Sequence, residues 1–270
     1  MSSPCPLPDF RCVLITGASS GLGLEYAHQL APRVETLVLV ARRENLLEEI
    51  ATDLIGKHPH LRVKTFAADL ANDSGRNHLL NALSQENLYP DCLLNNAGMG
   101  DYGEFRTSDW GKTEQMIRLN MEALTHLTHS LLPGLIARRG AILNVSSLAG
   151  ILPIPDFAVY AATKSYVTSF SEGLRLELRD QGVRVLAVCP GPIKTGFGDV
   201  ARRSPTSALP VREGFYVPAD QVVRDSLNAL LADRPRIYPG LKVAAAAALI
   251  GLLPMAAVRL IMGSRPRRSD

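Results

Sequence analysis

The sequence predicts an α/β fold, a doubly wound and mostly parallel sheet with helices on both faces and a C-terminal helical extension. Two observations carry this expectation. From Arg11 onwards short apolar runs alternate with longer helical patterns, and a glycine-rich turn follows the first of those runs directly. A parallel strand is covered on both faces, so its residues need not alternate apolar with polar.

In chain order the runs are CVLIT, TLVLVA, VKTFAA, DCLLNN, AILNVSS and VRVLAVCP, with RIYP as a short seventh strand. Between the second and third, Glu44 to His58 places Leu46, Leu47, Ile50 and Leu54 at helical spacing. Strands that alternate with helices imply crossover units, which put helices on both faces of one sheet. No linker or repeat interrupts the pattern, so residues 1–270 read as one domain. After VCPGPIKTG the periodicity degrades, and residues 196–217 read as a substrate lid loop. ADQVVRDSLNALLAD restores a helical pattern ahead of RIYP.

A chain of 270 residues with 46% hydrophobic content is ample for a continuous core. Its net charge of +3, from 29 basic and 26 acidic residues, does not point to nucleic acid, and only RPRRSD is locally basic. Cys5, Cys12, Cys92 and Cys189 form no CxxC pair, which argues against a disulfide framework and a zinc cluster. MSSPCPLPDF lacks a basic start followed by an apolar run, so a reducing, cytoplasmic setting is the expectation.

The extension over residues 241–264 is hydrophobic, with five consecutive alanines, a breaking Pro254 and an internal Arg259. Three readings stay open for it. It caps the substrate pocket or buries a subunit interface, it lies on a membrane surface with RPRR on lipid head groups, or it spans a bilayer, in that order of preference.

TGASSGLG starts at Thr16, after a strand and before the helical stretch LEYAHQLA. In that context Gly17, Gly21 and Gly23 suit a tight turn, a close backbone approach to a pyrophosphate and a close contact between helix and strand. The following helix N-terminus offers free N–H groups and the positive end of its dipole. Downstream, Tyr160 and Lys164 lie one helical turn apart in DFAVYAATKSYV and so share a face. A phenol titrates near 10, and an ammonium beside it favours the phenolate, which is how such a pair can be prepared to move a proton. A hydroxyl at the exit of AILNVSS, from Ser146 or Ser147, can hold a substrate oxygen, and only one of the two faces the site because successive strand residues point oppositely.

These motifs, taken in order with AADL at Ala67, NNAG at Asn95, Asn120 in IRLNMEA, NVSSLAG at Asn144 and PGPIKT at Pro190, resemble the short-chain dehydrogenase/reductase family in its compact single-domain form. The resemblance runs from about Arg11 to Thr195. It implies a seven-stranded Rossmann sheet and hydride exchange between a nicotinamide cofactor and a carbonyl or secondary alcohol.

It also implies the roles. Tyr160 gives or takes the proton, Lys164 lowers its pKa and holds the nicotinamide ribose, and Ser147, thirteen positions before Tyr160, steadies the substrate oxygen. Asn120 holds a water that links the lysine to a proton relay. The second strand ends in Ala41, Arg42 and Arg43, where a carboxylate would serve NAD; guanidinium there favours NADP(H), with Arg42 the preferred phosphate ligand and Ser19 its helper. Ser20, Leu22, Leu70, Asn96, Ala97, Gly98, Pro190, Gly191, Ile193 and Thr195 complete the cofactor-binding set. Asp69 meets the adenine amino group or caps the next helix.

Met99, Tyr102, Ser147, Asp156, Phe157 and Val159 form the expected substrate pocket, whose apolar character suits a hydrophobic small molecule. His126 and His129 share a helix face but lack a carboxylate or cysteine companion, so no metal is expected. A homodimer or homotetramer is the expected assembly. The rivals are a catalytically silent nucleotide-binding scaffold on the same fold, and a lyase or epimerase, whose relatives usually carry a larger C-terminal substrate domain.

Overall fold

The computed structural model describes residues 10–203 and 213–263, the side chains of Asp199 and Glu213 apart. Seven strands form one sheet: β1 (Cys12–Thr16), β2 (Thr36–Ala41), β3 (Arg62–Ala67), β4 (Cys92–Asn95), β5 (Ala141–Val145), β6 (Arg184–Val188) and β7 (Arg236–Ile237). Their order is β3-β2-β1-β4-β5-β6-β7, and every pairing is parallel. Helices α1 (Gly21–Leu30), α2 (Glu44–Lys57), α3 (Asp73–Gln85), α4 (Trp110–Ile117), α5 (Leu124–Ala137) and α6 (Ala158–Glu177) connect the first six strands, and α8 (Ala219–Leu231) precedes β7.

The near-continuous apolar runs are explained by two core layers. Along β1, Val13 and Ile15 face one layer with Tyr26, Leu30, Leu47 and Leu54 of α1 and α2. Leu14, between them, faces the other with Leu79, Leu127 and Leu174 of α3, α5 and α6. Both faces of β1, β2, β4, β5 and β6 are buried, while the edge strands β3 and β7 are partly open; each fully buried Leu or Ile contributes about 1.5–3 kcal/mol.

Between β1 and β4 the strand order reverses, which opens a crevice at their C-terminal ends. Thr16 locks its rim: the hydroxyl donates to Leu94 O at 3.2 Å and accepts from the N–H groups of Asn96 and Ala97, each at 3.0 Å. Behind it, Asn95 donates to Asn144 and to Thr128, and Asn144 donates to Ser171. This buried amide chain ties β4, β5, α5 and α6 in one register.

Two expectations need correction. Part of the lid stretch is regular, since α7 (Phe197–Ala201) forms where Phe197 packs on the residues below it; the lid's residues 204–212 lie outside the described residues. Asp69 does not cap α3, whose N-cap is Asn72; it turns the chain instead, accepting from Ala71 N at 3.1 Å and from Asn72 Nδ2 at 2.9 Å.

The extension is two helices, α9 (Leu241–Leu252) and α10 (Met255–Gly263), bent by 117° at Pro254. No single helix among the described residues is long and apolar enough to cross a membrane.

Candidate active site

Gly17 and Gly21 have φ of +67° and +56°, a left-handed conformation that side chains disfavour. Gly23 is fixed by space rather than by torsion, because a Cβ there would lie 2.2 Å from Gly17 O. Asn96 buttresses the loop from below, its Nδ2 2.9 Å from Thr16 O. At the start of α1, Ser20 makes no side-chain capping bond and the first turn carries no acidic residue. Unspent N–H groups at a dipole's positive end fit a phosphate.

Of the two arginines after β2, Arg43 reaches this loop. Its Nη2 donates to Ser19 Oγ at 2.9 Å and Ser20 Oγ at 3.2 Å. Arg42, preferred by resemblance, is exposed beside it. The opposite wall comes from the turn after β6. Thr195 lies 3.5 Å from where a Gly21 Cβ would stand, Pro190 O accepts from Leu148 N, and Gly191 is pressed by Val243 of α9. Ile193 and Leu22 join the same apolar cluster as Leu148. Leu70 is buried on the far side, its carbonyl held by Arg76. The residues present fit a dinucleotide with an extra phosphate on its ribose.

Across the crevice α6 presents Tyr160 and Lys164. Lys164 is buried and donates from Nζ to Val145 O at 2.8 Å. Burial lowers its pKa to about 8. Burial raises Tyr160 to about 12, while a hydrogen bond with Ser147 pulls the other way. Lys164, whose Nζ stands 5.8 Å from the ring centroid, does not lower the phenol in this arrangement; burial raises it and only the Ser147 bond acts downward. The two serines are separated as strand alternation requires: Ser146 is buried and bonds to Lys164 O at 2.7 Å and to Thr168, whereas Ser147 turns to the phenol.

Asn120 sits in a π-helical turn (Arg118–Ala123) inserted between α4 and α5. Such turns carry a residue off the regular helical face and are frequent at functional sites. Its side chain holds both the N–H and the carbonyl of Met99, at 3.0 and 2.9 Å, and donates to Thr163 at 3.0 Å. A Cβ on Gly98 would lie 3.2 Å from Asn120 Oδ1 and 3.4 Å from Lys164 Nζ, so the missing side chain lets the two groups converge. Ala97 lines the same turn and would meet any side chain on Gly17.

Phe157 stacks on Tyr160 with centroids 4.3 Å apart, Tyr102 meets Phe157 edge-on at 5.7 Å, and Phe197 leans on Tyr160 at 5.5 Å. Met99 and Val159 pack in the same cluster. Asp156 holds a φ of +63° at the start of this wall and accepts from Gly103 N. It lines, with Val159, Met116, Thr113 and Arg203, an adjoining cavity of about 240 Å³.

The sequence model of the family described as short chain dehydrogenase matches residues 11–205. The chain belongs to the short-chain dehydrogenase family. A very-long-chain 3-oxoacyl-CoA reductase of Rattus norvegicus is 33% identical over 215 residues, 78% of this chain and 67% of the relative. A sulfoacetaldehyde reductase of Chromohalobacter salexigens is 38% identical over 192 residues, 69% of this chain and 74% of its own. The solved structure of a short-chain dehydrogenase from Sphingobium yanoikuyae in complex with NADPH is 32% identical and superposes with a TM-score of 0.79, covering 96% of this chain and 98% of that one.

Two features of this short-chain dehydrogenase escaped the sequence reading. One is the π turn, which has no sequence signal beyond the mid-helix Asn120. The other is the buried carboxylate Asp101, which joins Arg203 to the loop after β4 across 102 positions and so leaves no local pattern. His126 accepts from Arg76 Nε at 3.2 Å, and no cluster of three metal-ligating side chains occurs among the described residues.

Proposed function

We propose that this chain is an NADP(H)-dependent oxidoreductase that interconverts a carbonyl and a secondary alcohol on a hydrophobic small molecule. The observation that carries the reading is the convergence of Ser147, Tyr160, Lys164 and Asn120 at the mouth of the crevice beside the glycine loop. Its reductase relatives and the NADPH-bound neighbour support it. The residues that would hold the cofactor are the glycine loop with Ser19, Ser20 and Arg43 at the phosphates, and Lys164 with the turn from Pro190 to Thr195 at the nicotinamide end. When bound, the cofactor supplies the hydride.

The chain supplies the proton and the place for it. Ser147 and Tyr160 hold the carbonyl oxygen by two hydrogen bonds, which strengthen as charge develops there. As the oxygen becomes an alkoxide, the Tyr160 O–H bond breaks and the proton moves to it; the phenolate left behind is stabilised by the Lys164 ammonium. The phenolate then regains its proton from the Lys164 ammonium, and Asn120, beside Lys164, is the polar route by which the neutral lysine is reprotonated from solvent. In the alcohol-oxidising direction each step reverses, and Tyr160 is the base. The stretch 196–217 is assigned as the lid and the aromatic wall of Phe157, Tyr102 and Phe197 as the apolar side of the substrate pocket.

The test is a panel of ketones and aldehydes with NADPH, followed by loss of cofactor absorbance, for the native chain and Tyr160→Phe. The substitution keeps the ring and removes the donor. A loss of 10³-fold or so with cofactor still bound is the expected result; full reduction by the variant would remove Tyr160 from the chemistry.

A further inference from the structure

Among the described residues, twelve large hydrophobic side chains are exposed, and six of them lie on α9 and α10: Leu241, Leu249, Leu252, Met255, Leu260 and Ile261. Their exposures run from 52% to 90%. On α9 the outward residues Leu241, Ala245, Ala248, Leu249 and Leu252 fall at helical spacings of three and four, so they form one stripe. The inward face is anchored: Val243 and Ala247 are buried, and Val243 presses on Gly191. α9 is therefore fixed to the body, α10 buries Val258, and both helices leave large apolar side chains exposed. Exposed apolar side chains concentrated on one terminal helix pair mark an interaction surface.

The charges nearby choose its partner. Between positions 241 and 270 the sequence has Lys242, Arg259, Arg265, Arg267 and Arg268 against a single acidic residue, Asp270. Exposed Arg259 stands among Met255, Ala256 and Leu260 on α10, where a long side chain can lay its methylenes on apolar surface and carry its charge outward. A second copy of the chain would bring this cationic face against itself in a two-fold interface. A bilayer bearing anionic lipid offers both an apolar interior and the opposite charge. The bend of 117° gives two short helices that can lie in the interface, rather than one that crosses it.

We infer that α9 and α10 dock this protein peripherally on an anionic phospholipid surface, with the leucine stripe in the acyl boundary and the basic residues on the head groups. The test is flotation of the full chain with phosphatidylcholine vesicles, plain or containing about a third phosphatidylserine. The native chain is expected to float with the anionic vesicles, less with the plain ones, and less again at high salt. The double substitution Leu252→Glu and Leu260→Glu is expected to cut flotation about tenfold or more, with unchanged NADPH binding and gel-filtration size. Arg259→Gln, a milder surface change, is expected to weaken binding to anionic vesicles alone. No flotation of the native chain, or equal flotation of the leucine double variant, overturns the inference. A native chain that ignores vesicles, with a double variant smaller on gel filtration, assigns the face to a second copy instead.

Discussion

Arg203 grips Asp101, with Nε 3.1 Å from Oδ1 and 3.0 Å from Oδ2, and Lys112 Nζ stands 3.0 Å from the same carboxylate. Arg203 also donates to Glu104 O and Thr107 Oγ1, each at 2.9 Å. Beside it Tyr102 N donates to Ala201 O at 2.8 Å. The helix that leans Phe197 on Tyr160 is thus latched to the loop after β4 by a buried carboxylate. Burial pushes that carboxyl upward, but the bonds from Arg203 and Lys112 outweigh it and hold its pKa below the usual range.

Asp101→Asn keeps the shape and removes the charge, leaving two cations facing each other. A charged hydrogen bond of this kind is worth about 2 kcal/mol, so α7 should loosen locally. The expected outcome is a KM raised about tenfold with a smaller change in kcat, and faster proteolysis near residues 197–203. Acid should act in the same direction: a carboxyl with a lowered folded pKa contributes fully above its unfolded value of about 4, and that contribution is lost as pH falls through the folded value. Unaltered KM and proteolysis in the variant would show that the latch has no hold on the lid.

Arg43→Ala is expected to lower kcat/KM for NADPH by about 10- to 100-fold and leave NADH nearly unchanged, since a guanidinium on phosphate is a strong, charge-assisted contact. Arg42→Ala should have the smaller effect. A larger effect from Arg42 would return the phosphate to the residue that the resemblance favours.

Gly23→Ala would put a methyl 2.2 Å from Gly17 O, a backbone atom that cannot rotate aside. The glycine loop must then leave α1, and NADPH affinity, read by fluorescence quenching, should fall by about 100-fold or more, roughly 3 kcal/mol. Near-normal affinity would mean that the loop is not the phosphate cradle.

Because burial lowers Lys164 to about 8, its ammonium is present below that pH and lost above it. For carbonyl reduction kcat/KM should fall above about pH 8, by up to tenfold per unit. A profile flat to pH 10 would separate Lys164 from the reaction. The stability sign follows too. A lysine with a lowered folded pKa binds fewer protons folded than unfolded between about 8 and its ordinary 10.5, so its contribution to stability rises over that window. Tyr160, raised to about 12, opposes it above 10.

Much of the frame was legible because it rests on short periods. The buried runs of β1, β2, β4, β5 and β6 show their double coverage directly, and Tyr160 and Lys164 share a face because a helix repeats every 3.6 residues. The glycine loop was legible because its torsions and its space admit no side chain. What was not legible depends on long-range packing. Strand alternation left Ser146 and Ser147 open, and the bonds of Ser146 to Lys164 O and Thr168 show which one turns inward. Propensity marked Asn120 as unusual mid-helix but could not show the π turn that carries it.

The sequence by itself determined a parallel α/β sheet, a phosphate-ready turn after its first strand and a tyrosine one helical turn before a lysine, since each is set by neighbours within a few residues. Only the tertiary structure decided that Arg43 reaches the serines of the glycine loop, that Asp101 latches α7 and that α9 and α10 turn their leucines outward. These depend on which surfaces meet across scores of residues, and side-chain burial and charge pairing are settled only when those surfaces close.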